Sequence, residues 1–171
     1  MPATPTNYLL DANVFIEAHR SYYSFDLCPG FWACIPAHHA AGRVLSIDKI
    51  RAELRTGDRL DNWIQTAAPN SLFASTQDER VAVEFASMMR WVQANAQFKT
   101  EAKAEFAQVA DGWLVAYAKV HGYTVTTLEM HHPEQRKRVP LPNVCLQFGV
   151  PYADTFTMLR ELGSRFDLAA T

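Results

Sequence analysis

The sequence contains few cysteines, little net charge and no long apolar run. Its three cysteines are an odd number at spacings that fit no zinc-binding pattern, which favours a reduced, cytoplasmic setting. No apolar run approaches the roughly 18–20 residues that cross a bilayer, so we expect no association with a membrane. The net charge of −2 gives no sign of a nucleic-acid binder, although it does not exclude one whose basic residues are local.

The composition is that of a globular protein with one core. Of the 171 residues, 49% are apolar and 12% are aromatic, which excludes a disordered or fibrous chain. A chain of this length corresponds to one domain and can bury a core without a disulfide or a structural metal. The first six residues lack the basic start and the apolar stretch of a signal peptide. We therefore predict a single domain over residues 1–171.

Short apolar or β-branched runs alternate with stretches of helical periodicity. Strands are predicted at residues 7–10, 44–47, 71–74 and 123–127, although residues 44–47 are alternatively the lead-in to a helix. The longest helical patterns cover residues 79–94 and 100–122, and the second of these is divided near residue 111. Strands that alternate with helices are typical of an α/β fold. We predict a three-layer α/β/α architecture around a central, mainly parallel sheet.

Four acidic residues stand at or near the ends of predicted elements. Asp11 follows the first strand directly, and Glu129 lies two residues beyond the end of the last strand. Glu53 lies in the helix after the second strand, and Asp111 begins the second half of the 100–122 pattern. Taken one at a time, Asp11 and Asp111 are equally explained as helix caps, and Glu53 as a solvated side chain.

As a group, these four acids point to a bound cation. Ligands of an open parallel sheet bind beyond the carboxyl ends of its strands, which is where we expect these side chains to meet. Carboxylates that converge in one cleft repel each other and raise each other's pKa values, and a cation offsets that repulsion. Because no histidine or cysteine accompanies them, the oxygen-only set favours Mg²⁺ or Mn²⁺ over Zn²⁺.

The acids lie in segments that follow one another in a recognisable order. The segments are residues 8–16 (YLLDANVFI), Glu53, residues 110–118 (ADGWLVAYA) and residues 125–129 (VTTLE). In this order they resemble the motifs of the PIN-domain nucleases. The branch that the chain resembles is the PIN-like, VapC-type toxins of bacterial toxin–antitoxin systems, and residues 22–32 are similar to an insert of one such subfamily. The resemblance extends from about residue 7 to residue 166.

The resemblance implies a compact PIN-like α/β/α fold and a Mg²⁺- or Mn²⁺-dependent endoribonuclease that hydrolyses RNA phosphodiester bonds. Matched position by position, the acids that would bind the metal and act in catalysis are Asp11, Glu53, Asp111 and Glu129. Glu129 stands where the family usually has aspartate. The residues that would support them by orienting water or a ligand are Asn13 and Thr127, with Asp154 as a further candidate that is alternatively a helix cap.

The same resemblance implies products and partners. Attack by a metal-activated water predicts RNA fragments with 5′-phosphate and 3′-hydroxyl ends. Besides the RNA substrate, the expected partners are a cognate antitoxin protein and a second copy of the chain in a homodimer.

Basic residues near the acids are candidates for contact with RNA. One basic run closely follows Glu129, and a second set of basic residues lies around Glu53. These residues are Arg136, Lys137, Arg138, Lys49 and Arg51. Beside a cleft of carboxylates we expect them to contact phosphates, in which case affinity for RNA falls steeply with added salt. The alternative is that they form a solvated loop and a solvated helix face.

Two other functions are open on the sequence. A haloacid-dehalogenase-like phosphatase also has an aspartate after its first strand, but it needs a second aspartate two residues later, where this chain has Asn13. A non-catalytic module of the same fold would bind a metal and RNA without cleavage. Glu129 favours this module, since the extra methylene of glutamate moves its carboxylate oxygens by more than an ångström relative to aspartate.

Overall fold

A five-stranded, all-parallel sheet organises the computed structural model, which describes residues 5–168. The strands are β1 (Tyr8–Leu10), β2 (Val44–Ile47), β3 (Phe73–Ala74), β4 (Thr124–Thr126) and β5 (Tyr152–Ala153). Their order in the sheet is β3-β2-β1-β4-β5, so the first strand of the chain lies at the centre. The predicted α/β fold with a parallel central sheet is therefore confirmed.

Helices flank the sheet and connect its strands. Within residues 5–168 the α-helices are α1 (Ala12–Arg20), α2 (Pro29–Ala40), α3 (Asp48–Glu53), α4 (Arg59–Thr66), α5 (Glu79–Ala94), α6 (Thr100–Phe106), α7 (Asp111–His121), α8 (Leu141–Gln147) and α9 (Thr155–Glu161). The predicted division of residues 100–122 is observed, because α6 and α7 are separate helices. Within the same part of the chain, no helix combines the length and the apolar character needed to span a membrane.

β1 is buried on both of its faces. Tyr8, Leu9 and Leu10 are each no more than 1% exposed, so the strand has no polar face. An unbroken apolar run of this kind is typical of a strand in a parallel sheet that helices cover on both sides. β1 pairs with β2 through Tyr8↔Val44 and with β4 through Leu10↔Thr126. The core forms around this strand.

The four predicted strands each contain an observed strand, and the fifth strand was not predicted. Of residues 71–74, only Phe73–Ala74 pairs with β2, because the residues before them form a short 3-10 turn. β5 has only two residues and follows Pro151, so it shows no alternation and no strand signal. It is formed by pairing with β4 through Val125↔Tyr152.

The aromatic segment after α1 packs back onto the core. The rings of Phe25 and Trp32 stack with centroids 4.1 Å apart, and those of Tyr23 and Phe31 stack at 4.7 Å. Pro29 begins α2, a position at which its missing N–H costs no helical hydrogen bond. α2 then packs against β2.

A left-handed glycine directs the chain from α7 into β4. Gly122 has φ +74° and ends α7, which is the conformation that glycine adopts without steric cost. Because the stop is tight, β4 begins two residues later and runs beside β1. The carboxyl ends of these two strands therefore meet at one edge of the sheet.

Replacing Leu9 by alanine should lower the free energy of unfolding by about 2–5 kcal/mol, because the truncated side chain leaves a cavity in a packed core. Leu9 is 0% exposed at the centre of the sheet. The matched control is Leu146→Ala in α8, where the side chain is 53% exposed and the truncation should cost less than about 1 kcal/mol. Denaturant unfolding of both variants measures the difference, and equal losses would contradict a core centred on β1.

Candidate functional site

Asp11 and Thr127 stand side by side where the two central strands end. Asp11 follows β1 and Thr127 follows β4. The Asp11 N–H donates to the carbonyl of Thr126 at 3.0 Å, which continues the ladder by one residue. The Thr127 hydroxyl donates to Asp11 Oδ2 at 2.9 Å. Connections leave β1 and β4 towards opposite edges of the sheet, and ligands of open parallel sheets bind at such a switch point.

Asp11 also caps α1. Its Oδ1 accepts a hydrogen bond from the Ala12 N–H at 2.6 Å, and its own backbone is extended. The residue is 5% exposed. The capping role and the functional role proposed from the sequence are therefore compatible, because one carboxylate oxygen serves the helix and the other accepts from Thr127.

Asn13 and Thr127 brace the segment after β4. The Asn13 amide nitrogen donates to the Thr127 hydroxyl oxygen at 3.1 Å, and its carbonyl oxygen accepts from the Leu128 N–H at 3.1 Å. The Glu129 N–H also donates to the Thr127 hydroxyl oxygen, at 3.1 Å. With its bond to Asp11, this hydroxyl donates once and accepts twice, which uses its full hydrogen-bonding capacity.

Glu53 and Asp111 approach the same place from α3 and α7. Glu53 is the last residue of α3, and its Oε1 accepts from the Ala110 N–H at 2.7 Å. This bond joins the end of α3 to the start of α7, where Asp111 is the first residue. Asp111 is half-buried, and within residues 5–168 its carboxylate accepts no hydrogen bond.

Glu129 has a partner on each carboxylate oxygen. Its Oε1 accepts from an Arg138 guanidinium nitrogen at 2.8 Å, and its Oε2 accepts from the Leu141 N–H at 2.9 Å. Leu141 begins α8, so Glu129 connects the end of β4 to the start of that helix. A shorter aspartate at this position would reach these two donors less well. The length of the glutamate side chain therefore lets it brace β4 against α8.

The four acids and Asn13 line one cleft of about 240 Å³. Its charged and amide side chains are Asp11, Asn13, Glu53, Glu105, Asp111, Glu129 and Arg138. The four predicted acids thus share a single cleft at the carboxyl edge of the sheet. Glu105 of α6 was not predicted, because a glutamate within a polar, exposed helical stretch has no distinguishing sequence signal.

Burial and mutual repulsion raise the pKa of both cleft aspartates. Burial is the main cause that raises the pKa of Asp11 from 3.8 to about 7, while the Thr127 hydrogen bond opposes the rise and the Glu129 charge adds to it. Burial also raises the pKa of Asp111 well above its ordinary value, followed by repulsion from Asp11 and the other acids. The ionised forms of both aspartates are therefore disfavoured, and a bound cation would stabilise them.

The donor set suits a hard divalent cation that keeps part of its water shell. Within residues 5–168, no three His, Cys, Asp or Glu side chains are placed to hold one metal ion together. Mg²⁺ is usually bound by only one or two carboxylates and several waters, and Asp11 and Asp111 would match that number of carboxylates. The carboxylate of Asp111, which has no other partner in this part of the chain, fits such an ion best.

Asp154 and Arg51, which were predicted as site residues, are engaged by other parts of the structure. Asp154 caps α9, where its Oδ1 accepts from the Thr157 N–H at 2.6 Å, and this hydrogen bond lowers the pKa of Asp154. Arg51 donates to Asn70 Oδ1 at 3.1 Å and thus points towards β3. Neither residue lines the cleft.

The other predicted basic residues reach different surfaces. Arg138 lines the acidic cleft itself. Lys49 lines an adjoining cavity that shares Glu53 with the cleft. Arg136 and Lys137 are exposed on the loop before α8 and do not line the cleft. Of the predicted basic set, Arg138 is therefore the residue placed to contact a group bound between the acids.

Between pH 5 and pH 8 in metal-free buffer, the free energy of unfolding of Asp11→Asn should rise by roughly 1–3 kcal/mol relative to that of the wild type. The folded pKa of Asp11, about 7, lies above the unfolded value of 3.8, so the folded state binds this proton more tightly. Between these pH values the wild type consequently loses stability as pH rises, and the variant does not lose this contribution. Urea unfolding with EDTA measures this difference between the two proteins, and a pH-independent difference would contradict a buried, repelled carboxylate.

One family model matches the chain over nearly its whole length. No curated protein matches the sequence. The family model covers residues 8–166, a span that includes all five strands and the four acids of the cleft. The chain therefore belongs to the DUF4411 family, described as a domain of unknown function.

Proposed function

We propose that the protein is a Mg²⁺- or Mn²⁺-dependent endoribonuclease with a PIN-like fold. The observation that carries this proposal is the half-buried carboxylate of Asp111, which has no hydrogen-bond partner among the described residues, in one cleft with the buried carboxylate of Asp11. Such a pair is stabilised by the kind of cation that assists phosphodiester hydrolysis. The parallel sheet with strand order 3-2-1-4-5 is compatible with the fold that the sequence motifs resemble.

Asp11 and Asp111 would hold the metal, with Glu53 and Glu129 beside them in the cleft. When bound, the cation supplies an activated water and neutralises charge that develops on the phosphate oxygens. Both oxygens of Asp11 are fixed in advance, one by the Ala12 N–H and one by the Thr127 hydroxyl. A carboxylate that is oriented before its ligand arrives avoids reorganisation during the reaction.

Arg138 supplies the positive charge that the cleft offers to a phosphate. Among the described residues it is the one basic side chain that lines the cleft, and it is 59% exposed. A guanidinium binds phosphate oxygens through paired N–H groups. Glu129 engages one nitrogen of Arg138, which leaves other N–H groups free to donate. Glu129 thereby acts as a positioning residue for Arg138.

A non-catalytic module that binds metal and RNA is the second candidate, and Glu129 favours it. The Glu129 carboxylate is paired with the guanidinium of Arg138, so a cationic side chain already balances its charge, whereas the hydrogen-bond donors to Asp11 are neutral. The phosphatase alternative gains no support. The position that would need its general acid is occupied by Asn13, whose amide is bonded to Thr127.

The proposal extends to a toxin of a toxin–antitoxin pair, which acts in the cytoplasm as a homodimer and is inhibited by a cognate antitoxin. The sequence motifs support the toxin assignment. Exposed apolar side chains support a protein partner, since Leu27 is 77% exposed and Tyr22 is 67% exposed. The thiols of Cys28, Cys34 and Cys145 are free, which suits a reducing compartment.

Purified protein should cleave RNA in Mg²⁺ or Mn²⁺ and not in EDTA. Asp11→Asn should lower the cleavage rate by about 100-fold or more, because it removes a charge that acts on the reacting groups. The matched control is Asp154→Asn, since this aspartate caps α9 outside the cleft and should leave cleavage unchanged. Fragments resolved on a denaturing gel measure the rates.

The ends of the fragments test the route of cleavage. Hydrolysis by an activated water yields 5′-phosphate and 3′-hydroxyl ends, and 2′,3′-cyclic phosphate ends would contradict it. Intact RNA would overturn the nuclease assignment. If calorimetry then shows Mn²⁺ binding that Asp11→Asn abolishes, the non-catalytic module replaces it.

Arg138→Gln should weaken RNA binding and reduce its dependence on salt. Loss of one phosphate contact lowers the slope of log affinity against log salt concentration by about 0.7 for a single strand. The matched control is Arg43→Gln, because Arg43 stands directly before β2, at the edge of the sheet opposite the cleft, and donates to the Thr6 carbonyl there. Anisotropy of labelled RNA at several salt concentrations measures both variants, and a slope unchanged by Arg138→Gln would exclude the contact.

A further inference from the structure

A second cavity adjoins the acidic cleft on the other side of Glu53. It has a volume of about 420 Å³ and lies between α3 and the start of α7. Glu53 and Val109 line both spaces and so form the wall between them. The chemistry of the second cavity is different, because its described lining contains Lys49 and Trp113 and no acid besides Glu53.

The indole of Trp113 forms a fixed, flat side of this cavity. The Phe85 ring stacks on it with centroids 3.9 Å apart and planes 10° apart. Gly112 makes room for Phe85, since a Cβ at Gly112 would stand 2.9 Å from that ring. The Lys49 ammonium lies 5.5 Å from the centroid of the same indole. Because Phe85 stacks on one face of the indole, the Lys49 ammonium lies over the other face, and a ligand can stack on Trp113 only from the side of Lys49.

Lys49 has no carboxylate partner among residues 5–168. It lies four residues before Glu53 on α3, a spacing at which lysine and glutamate commonly pair. They do not pair here, because the Glu53 carboxylate accepts from the Ala110 N–H at 2.7 Å while the Lys49 ammonium lies over Trp113. The charge of Lys49 is therefore available to an anion that enters the cavity.

We infer that this cavity binds the nucleotide next to the scissile phosphate, with its base stacked on Trp113 and its phosphate paired with Lys49. The inference rests on the proposed ribonuclease function, since the acidic cleft beyond Glu53 would hold the scissile phosphate. A flat aromatic side chain beside a cation is the usual arrangement for binding single-stranded nucleic acid. A stacked base also binds an indole more strongly than an exposed ammonium does, so the flexible Lys49 moves from the ring to the phosphate.

The chemistry and the size of the cavity both suit a nucleotide of any base. Stacking accepts any base, because every base has a π-face, so the cavity contributes affinity and position without reading base identity. Its volume of about 420 Å³ falls within the range of ordinary ligand pockets. The site thus holds the RNA in register on one side of the cleft.

The test is binding of a labelled single-stranded RNA octamer to the non-cleaving Asp11→Asn protein in Mg²⁺, measured by anisotropy. A series of octamers carries one abasic nucleotide at each position in turn. We expect one position at which the abasic nucleotide weakens binding by about 10-fold or more, and Trp113→Ala to weaken the intact octamer by a similar factor. Combining the two changes should add no further loss, because both remove the same stack.

Two further variants keep the test independent of whether Trp113→Ala folds. Trp113→Phe retains an aromatic face and the contact with Phe85, and it should retain most of the affinity. Lys49→Gln should weaken binding of the octamer several-fold and lower the slope of log affinity against log salt concentration. Lys119→Gln should change neither quantity. Lys119 is the matched control because it lies near the other end of α7, paired with Glu84.

The outcomes separate this inference from the proposed function. Binding that responds to no abasic position, or equal effects of the two lysine variants, would overturn the nucleotide site even if the wild type cleaves RNA. Failure of the parent protein to bind the octamer would also overturn it. Binding that depends on Trp113 and Lys49, without cleavage by the wild type in Mg²⁺ or Mn²⁺, would support the nucleotide site and overturn the nuclease assignment.

Discussion

The hydrogen bond from the Thr127 hydroxyl to Asp11 joins the ends of the two central strands, and the shape of the acidic cleft depends on that junction. β1 and β4 are paired as far as Leu10 and Thr126, directly before Asp11 and Thr127. Strand register therefore fixes the positions of these two side chains, rather than the conformation of a loop. The same hydroxyl accepts from Asn13 and from the Glu129 N–H. A single threonine therefore aligns one acid, one amide and the segment that carries a second acid.

The charges of the cleft are supported unequally. Three carboxylates accept a backbone N–H at the beginning of a helix: Asp11 at α1, Glu53 at α7 and Glu129 at α8. Such N–H groups carry partial positive charge and stabilise a carboxylate without a cationic side chain. Asp111 receives no such bond within residues 5–168, although it is half-buried among the other acids. The protein thus holds three of these acids in place with its own backbone N–H groups, and under the proposed function a cation would balance the fourth.

Glu53 separates two surfaces of opposite character. On one side the cleft combines carboxylates with the guanidinium of Arg138, and on the other the cavity combines an indole with the ammonium of Lys49. Under the proposed function, an RNA strand would place its scissile phosphate at the first surface and the neighbouring nucleotide at the second. The hydrogen bond from the Ala110 N–H fixes the Glu53 side chain between the cleft and the cavity. The same hydrogen bond joins the end of α3 to the start of α7. One contact therefore shapes both sides.

The sequence by itself determined four of the five described strands and four of the acids of the cleft, because these signals are local. The apolar run 8–10, the β-branched run 124–126 and an aspartate directly after a strand are recognisable within a few residues, as is the glycine that ends α7. Only the tertiary structure decided which polar groups meet. Asn13 and Thr127 are 114 residues apart in the chain, and register alone brings them together. Packing likewise turned Arg51 towards Asn70, placed Glu105 in the cleft and formed β5 on β4. Local preference carries no information about such neighbours, since each depends on how distant elements pair and pack.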